Sequence, residues 1–370
     1  MEHYPRIAIV YLSFHCEPYM DDVVSALKKL TYPRDKVEFI IVDNPHPTHG
    51  PSVRYIEDHV LPLSEQGIIP HVTLLAQKEN LGFSGGNNEG IKWAIDQGFD
   101  YVYFHNNDGF VAANALEPLA KVMEEDKTIG VSQSLMLLHP ETDLVNSTGN
   151  SFHFMGFGYC DEYRTKMKDL DFPPVKDISY ASGAALMMRT SLLQEYGLWD
   201  EDFFLYHEDF EYSFRLRCAG YRTVLVRDSV FYHKYQFSRS ITKFYYMERN
   251  RYGVMLMFFK WRTLLLLIPM ELALEVGLAI FALKGGWFKK RLDIYAYWLK
   301  PSSWKLWLKK RSFIQAIRKK NKVTDRMLMK AAKADILFQD PSMKNPLLIY
   351  VGNPVMRLYY RVVVRGLIWW

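Results

Sequence analysis

Short runs of strand-forming residues alternate with helical patterns through the first third of the chain. Residues 6–13, 37–44, 71–77 and 101–104 are each short and apolar and read as strands. Between them, Glu17–Leu30 places Val23, Val24, Leu27 and Leu30 on one face, and the segment GIKWAIDQG is a second helical pattern. A β-α-β-α order of this kind predicts a largely parallel sheet with helices on both faces. Such sheets bind ligands at the carboxyl ends of their strands, so the residues that end each strand are the ones to examine.

The fourth strand ends most abruptly. YVYFHNNDGF passes from Tyr101–Phe104 directly to His105, Asn106, Asn107, Asp108 and Gly109. Carboxylate and amide oxygens at that edge suit a hard divalent cation that keeps positions open for phosphates; a plain Asn-Asp-Gly turn explains the same residues. The second strand ends in Asp43, which can accept from a nucleobase imide or a ribose hydroxyl, or simply start the turn before Asn44-Pro45. The third strand is followed by ENLGFSGGNNEG (79–90). Its glycines allow close backbone approach to a ligand, and a helix N-terminus there favours anions. The spacing is not GxGxxG, and the motif follows the third strand rather than the first, which argues against a nicotinamide cofactor.

Further along, the sequence predicts a helix from an Asn114 cap to about Glu125, a strand over 128–138, a hairpin or long loop over 144–175, and a strand over 178–189. A helix over 207–221 follows, and two strands, YRTVLV and SVFYHK, close the body. Glu208 and Asp209 open the 207–221 helix behind the aromatic run Phe203-Phe204-Leu205-Tyr206. They are either dipole-favoured acids of a first turn or, in an aromatic acceptor pocket, a general base. Glu211 reads as a solvated acid, and the HPTH loop (46–49) as solvent-facing. His233, in FYHKY, is a lone histidine with no zinc-like spacing around it.

Taken together, these pieces resemble the family 2 glycosyltransferases, and within them the rhamnosyltransferase-like branch. The resemblance is carried by IAIVYLSFH, IIVDN, ENLGFSGGNNEG, YVYFHNNDGF, SGAALMMR, GLWDEDFFLYHEDFEYSFRLRCAGY and VFYHK, in order, over roughly residues 6–240. It implies the α/β GT-A fold of nucleotide-diphospho-sugar transferases and an inverting sugar transfer to a glycan or lipid-linked acceptor in cell-surface glycoconjugate synthesis. It places Tyr11, Ser13, Asp43, Asn80, Gly82, Phe83, Gly85, Asn87, Asn106 and Asn107 around the nucleotide sugar. Asp108 matches the last carboxylate of the family's Asp-x-Asp metal motif, and His233 a histidine that completes the site in some members. The implied cofactor is Mg or Mn. Asp209, with Glu208 beside it, matches the catalytic base. Asn106 stands where the full metal motif has Asp, which weakens the implied metal site and motivates an alternative, a non-catalytic sugar-nucleotide-binding or scaffold relative. Nucleotidyl transfer would want a Gly-rich basic loop after the first strand, where this chain has SFHCEPYMDD.

The tail has a different character. From Lys284 to Trp370 there are 20 Lys and Arg against 4 Asp and Glu, while the rest of the chain holds 26 against 37. Seven of the nine tryptophans lie after residue 260. The apolar stretch 263–283 is long enough to span a bilayer, but Glu271 and Glu275 share one helical face and make a span costly. These features predict a catalytic domain over 1–240 and a helical, membrane-associated extension over 241–370, interfacial or re-entrant, at the cytoplasmic face of the cell membrane. A core helix packed on protein is the alternative. Basic and aromatic residues also suit single-stranded nucleic acid, but the apolar runs are too long for that, and no nucleic-acid partner is expected. Homo-oligomerisation stays open. Three scattered cysteines and a strand directly after MEHYPR predict a reducing compartment and no signal peptide.

Overall fold

The computed structural model describes residues 4–235, 244–337 and 345–370. By packing, the chain divides into two units. The first comprises Met1–Asn150, Cys160–Arg217 and Tyr221–Tyr235; the second comprises Ser151–Tyr159, Cys218–Gly220 and Gln236–Trp370.

The first part of the chain runs β1 (Ile7–Ser13), α1 (Met20–Lys29), β2 (Val37–Asp43), α2 (Val53–His59), α3 (Leu61–Glu65), β3 (His71–Ala76), α4 (Gly82–Asp96), β4 (Tyr101–His105), β5 (Gly109–Val111) and α5 (Leu116–Glu125). It continues through β6 (Ile129–Leu138), β7 (Val145–Ser147), β8 (Asn150–Phe152), β9 (Gly158–Cys160), β10 (Val175–Asp177), β11 (Ala185–Arg189), α6 (Thr190–Tyr196), α7 (Glu208–Ala219) and β12 (Arg222–His233). The main sheet has the order β10-β12-β6-β11-β4-β1-β2-β3, with β5 on β12 and β7 on β6. Strands β4, β1, β2 and β3 are mutually parallel, as are β6 and β12; β11 runs antiparallel between β4 and β6.

The apolar run of β1 explains the layering. Ile7, Ile9 and Tyr11 point into one core with Val23 and Leu27 of α1, Ile56 of α2 and Leu119 of α5. Ala8, Val10 and Leu12 point into the other core, with Ile91 and Ala94 of α4, Leu192 of α6 and Leu216 of α7. A strand covered on both faces has no need of polar alternation, which is why these strands read as unbroken hydrophobic runs.

Several expected boundaries move. The Gly-rich stretch is not a loop leading to a helix near residue 90; the helix begins at Gly82. Its glycines serve packing: a Cβ at Gly86 would lie 2.4 Å from Leu12, and one at Gly90 2.6 Å from Val10. Helix α5 is capped at Ala115 rather than Asn114. The strand expected over 178–189 is reduced to Ala185–Arg189. The two closing strands are one, β12, with an irregularity between Val226 and Val230.

The second unit is helical, with α8 (Phe244–Phe258), α9 (Trp261–Lys284), α10 (Phe288–Leu299) and α11 (Pro301–Lys320) as its long elements. Its interior is an ion cluster. Arg251 of α8, fully buried, donates to Glu248 at 3.1 Å and to Glu271 of α9 at 2.7 Å. Arg291 of α10, also fully buried, reaches Glu248 at 3.3 Å and pairs with Glu275, which accepts from Tyr295 at 2.6 Å. The two acids that make a bilayer span costly are thus turned inward onto arginines. The opposite stripe of α9 is open: Leu265, Leu272 and Val276 are each more than 60% exposed. Among the described residues, α9 is the one helix long and apolar enough to cross a membrane.

Removing one member of a buried ion cluster strands the others, at a cost of about 3–5 kcal/mol. Arg251→Ala is expected to destabilise the helical unit by that amount in urea denaturation followed by tryptophan fluorescence. A change under about 1 kcal/mol would mean that the cluster is solvated and weak, as surface pairs are.

Candidate active site

Three strand ends and one helix start converge on the carboxyl edge of the first unit's sheet. At the end of β2, the buried Asp43 accepts from Ser13 Oγ at 2.7 Å and from the Ser52 amide at 3.1 Å. Loss of water raises its pKa, and these bonds oppose the rise. The next residue, Asn44, was not singled out in the sequence. Its Oδ1 accepts from the Leu81 amide at 2.8 Å, and its Nδ2 donates to Asn80 Oδ1 at 2.9 Å and the Gly82 carbonyl at 3.1 Å. It fastens the 80–82 turn to the strand edge. The HPTH loop is not wholly solvent-facing. His49 is exposed but stacks on His15 at 3.9 Å, and His46 is half-buried 4.5 Å from Phe14.

Asn80 Oδ1 accepts from the Gly82 amide at 2.8 Å. Gly82 has φ +74°, and a Cβ there would fall 2.5 Å from the Phe204 carbonyl, so a side chain is excluded twice over. The next amide, Phe83 N–H, donates to that carbonyl at 2.6 Å. Gly85 and Asn87 are buried in the first two turns of α4, where Asn87 Nδ2 donates to the Phe83 carbonyl at 2.8 Å. The Gly82 and Phe83 amides that open α4 therefore have protein partners.

At the end of β4, Tyr11 Oη donates to the Asn107 carbonyl at 3.2 Å, and Asn107 Nδ2 donates to the Phe14 carbonyl at 3.0 Å. His105 is buried, and burial lowers its pKa to about 4, so it is neutral. Asp108 and His233 are brought together: Asp108 Oδ1 lies 3.0 Å from His233 Nε2, and Asn106 Nδ2 donates to Asp108 Oδ1 at 2.6 Å. On the far side of the ring, His233 Nδ1 lies 2.8 Å from Asn146 Oδ1. The imidazole nitrogen and the carboxylate oxygen thus converge, a nitrogen–oxygen pair of the kind that holds a divalent cation. Carboxylate oxygen and imidazole nitrogen fit Mn and, less well, Mg. No group of three His, Cys, Asp or Glu side chains gathers into a metal site among the described residues, so nucleotide phosphates would have to supply the remaining ligands.

The base-bearing segment is strained. Phe204 has φ 60° and ψ −53°, with the Leu205 amide donating to the Phe203 carbonyl at 2.7 Å. This is a γ-turn of the rare positive-φ form. Tyr206 (φ 69°) and His207 (φ 68°) are also left-handed. Bulky residues in that region cost of order 1–3 kcal/mol each, and such strain gathers at functional sites. Helix α7 then starts with Glu208 and Asp209. Glu208 is buried, and its Oε2 has no hydrogen-bond partner; burial and the neighbouring Asp209 carboxylate hold its pKa well above the usual value. Asp209 accepts from the Gly183 amide at 3.1 Å and the Phe210 amide at 2.7 Å, and loss of water still pushes it up to about 6. Glu211 is not a solvated acid: it is fully buried and pairs with Arg215 at 2.5 Å.

Gly183 and Ala184 join the two halves of the site. The Gly183 amide holds Asp209, and the Ala184 carbonyl accepts from the Asn106 amide at 2.9 Å. A Cβ at Gly183 would come 3.0 Å from both Phe83 and Trp199. Gly183 lay inside the expected 178–189 strand and carried no signal of its own. Asn146 was missed for the same reason, since a buried Asn inside an ordinary pattern looks like any other polar residue, and Asn88 lies in ENLGFSGGNNEG, where the backbone rather than its side chain drew the reading.

A strand edge carrying Asp43, Asn106 and Asp108, an imidazole facing it and a raised carboxylate, on this sheet order, define a nucleotide-sugar transferase fold of the GT-A type. The chain belongs to glycosyltransferase family 2: the glycosyl transferase family 2 profile matches residues 8–197, just over half of the chain. It is 26% identical over 148 residues to the low-salt glycan biosynthesis hexosyltransferase Agl10 of Haloferax volcanii, covering 37% of this chain and 44% of that protein. The chain therefore aligns with less than half the length of that relative. Its fold is similar to that of GalNAc-T7, solved with UDP, GalNAc and Mn2+ (TM-score 0.55, 15% identity, 70% of this chain and 49% of that one). It is also similar to the mannosyltransferase PcManGT of Pyrobaculum calidifontis, solved with GDP-Man and Mn2+ (TM-score 0.50, 14% identity, 87% and 88%).

A carboxyl whose folded pKa is raised stabilises the fold while it is neutral. That contribution is whole below about pH 4, the unfolded value, and is lost as pH rises through about 6. Asp209→Asn removes the loss. Its melting temperature relative to wild type is expected to climb between pH 4 and pH 8; a constant difference would place the carboxyl in water.

Proposed function

We propose that the chain is an inverting glycosyltransferase that moves a hexosyl unit, rhamnosyl among the donors to be tried, from a nucleotide-diphospho-sugar to a glycan or lipid-linked acceptor in cell-surface glycoconjugate synthesis. The observation that carries the reading is the Gly183–Ala184 link, which sets a raised carboxyl and the Asp108–His233 pair on one strand start. Agl10 is named a hexosyltransferase of glycan biosynthesis, which agrees with this direction.

In this reading Asp43 and the Asn80–Phe83 turn receive the nucleoside. Asp108 and His233 would hold Mn or Mg, and such an ion would supply charge neutralisation for the departing diphosphate. Asp209 takes the acceptor hydroxyl's proton as its oxygen bonds the anomeric carbon. The carbon–oxygen bond to phosphate breaks on the opposite face, and its electron pair leaves with the nucleoside diphosphate. One displacement inverts the centre, so one base suffices and no covalent nucleophile is needed. A pKa near 6 leaves Asp209 mostly ionised at neutral pH and still basic. Burial and the Asp209 carboxylate raise the pKa of Glu208 well above its usual value, which favours Asp209 as the base. The second reading, a non-catalytic relative, is favoured by the Asn at position 106.

Asp209→Asn is expected to lower transfer by about 100- to 10,000-fold with donor affinity nearly unchanged. Asp108→Ala is expected to abolish the metal-dependent part of donor binding. Calorimetry and product release over UDP-, GDP- and dTDP-sugars, with and without Mn, measure both. Nucleotide sugar bound but never turned over by wild type would favour the non-catalytic reading.

We also propose that residues 241–370 attach the chain to the cytoplasmic face of the cell membrane. The open stripe of α9, a second set of exposed apolar residues that includes Leu347, Val355, Leu358 and Trp369, and the excess of Lys and Arg support it. Full-length protein is expected to sediment with anionic liposomes and to be only partly released by high salt. Salt release in full, or self-association without lipid, would assign the stripe to a protein partner or a second copy.

A further inference from the structure

We propose that Asn88 and the Phe83 amide are positioning elements for the reaction, holding the 199–207 segment in the one backbone conformation that presents Asp209 to the site. This rests on the reading of Asp209 as the base.

Asn88 lies in the second turn of α4 and is 1% exposed. Its Nδ2 donates to the Trp199 carbonyl at 2.8 Å and to Glu201 Oε1 at 2.9 Å, and its Oδ1 accepts from the Trp199 amide at 3.1 Å. One side-chain amide thus satisfies both backbone groups of Trp199, as a neighbouring strand would. An apolar residue of the same size would leave a buried donor and acceptor unpaired. One turn earlier, the Phe83 amide grips the Phe204 carbonyl at 2.6 Å, and Gly183, whose amide holds Asp209, leaves a Cβ only 3.0 Å from the Phe83 ring.

Between these anchors and Asp209, three of four consecutive residues from Phe204 to His207 have positive φ, and none is glycine. A free peptide of this composition would leave that conformation; it persists where its surroundings over-determine it. Asn88 fixes where the segment begins, and Phe83 fixes its strained turn. The His207 carbonyl then accepts from the Glu211 amide at 2.8 Å, which starts α7 and sets the direction of Asp209. Losing an anchor lets the segment relax to a cheaper backbone with the carboxyl turned toward water. The fold's sheet contains none of residues 199–207, so a change at Phe204 that relieves the strain costs catalysis rather than the fold.

That sign separates positioning from a merely structural role. The test uses full-length Asn88→Ala and Phe204→Gly, assayed by nucleoside diphosphate release from the sugar nucleotide that wild type turns over among UDP-glucose, GDP-mannose and dTDP-rhamnose. Melting temperature and UDP calorimetry run in parallel. Phe204→Gly relieves strain and keeps the carbonyl, so it folds even if Asn88→Ala does not. Expected are kcat losses of about 100-fold for Asn88→Ala, the scale of a 1 Å misplacement, and about 10-fold for Phe204→Gly. UDP affinity and donor KM should stay within about twofold, Phe204→Gly should melt no lower than wild type, and the acid limb of kcat should move below its wild-type pH. Wild-type kcat and an unmoved limb in folded variants would overturn the proposal. Asp209→Asn runs beside them: if it keeps full activity, the base assignment has failed rather than the brace.

Discussion

The site depends on two adjacent backbone groups. Gly183 N–H and Ala184 C=O, at the start of an antiparallel strand set between parallel neighbours, point to Asp209 and to Asn106 respectively. Because they are consecutive, the separation between the base loop and the Asp108 turn is fixed by covalent geometry. The packing around them is close: with Phe83 and Trp199 each 3.0 Å from the place of a Cβ, Gly183 leaves no room for a side chain. The strained turn at Phe204, the Asn88 amide and the Phe83 ring all bear on this point.

The same closeness explains the electrostatics. Excluding water from the Glu208–Asp209 pair raises both carboxyls, and two backbone amides bring Asp209 back to about 6. Both carboxyls thereby sit above the ordinary carboxylate range, with Asp209 still mostly ionised at neutral pH. At the other half, Asp108 faces the His233 ring with the Asn146 amide behind it. A carboxylate oxygen and an imidazole nitrogen 3.0 Å apart are a pair that either a shared proton or a cation joins. In the helical unit, by contrast, Arg251 and Arg291 are buried against Glu248, Glu271 and Glu275, and with those acids turned inward α9 keeps an apolar outer stripe.

Periodicity made the sheet legible: runs such as IAIVYL have one explanation, a strand buried on both faces. Strand ends were legible too, since Asp43 and Asp108 stand where apolar residues stop. What misled was chemistry shared by two roles. The glycines of GFSGGNNEG suit a phosphate loop and a helix packed hard on a sheet equally, and only their distances to Leu12 and Val10 decide for packing. Glu211 looked solvated because its partner Arg215 is four residues on, as in any surface pair, while burial depends on tertiary contacts. Asn88 acts on the Trp199 backbone and Gly183 on the Asp209 carboxylate, each more than twenty residues away, and local pattern holds no trace of that.

The central claim is that a half-buried Asp209 with a raised pKa removes the acceptor proton. The pH dependence of kcat for wild-type transfer tests it most directly. The account predicts an acid limb with a midpoint near 6, carried by one ionisation and absent from the residual rate of Asp209→Asn. A limb near 4, the value of a carboxylate in water, or one that survives in Asp209→Asn, would contradict it.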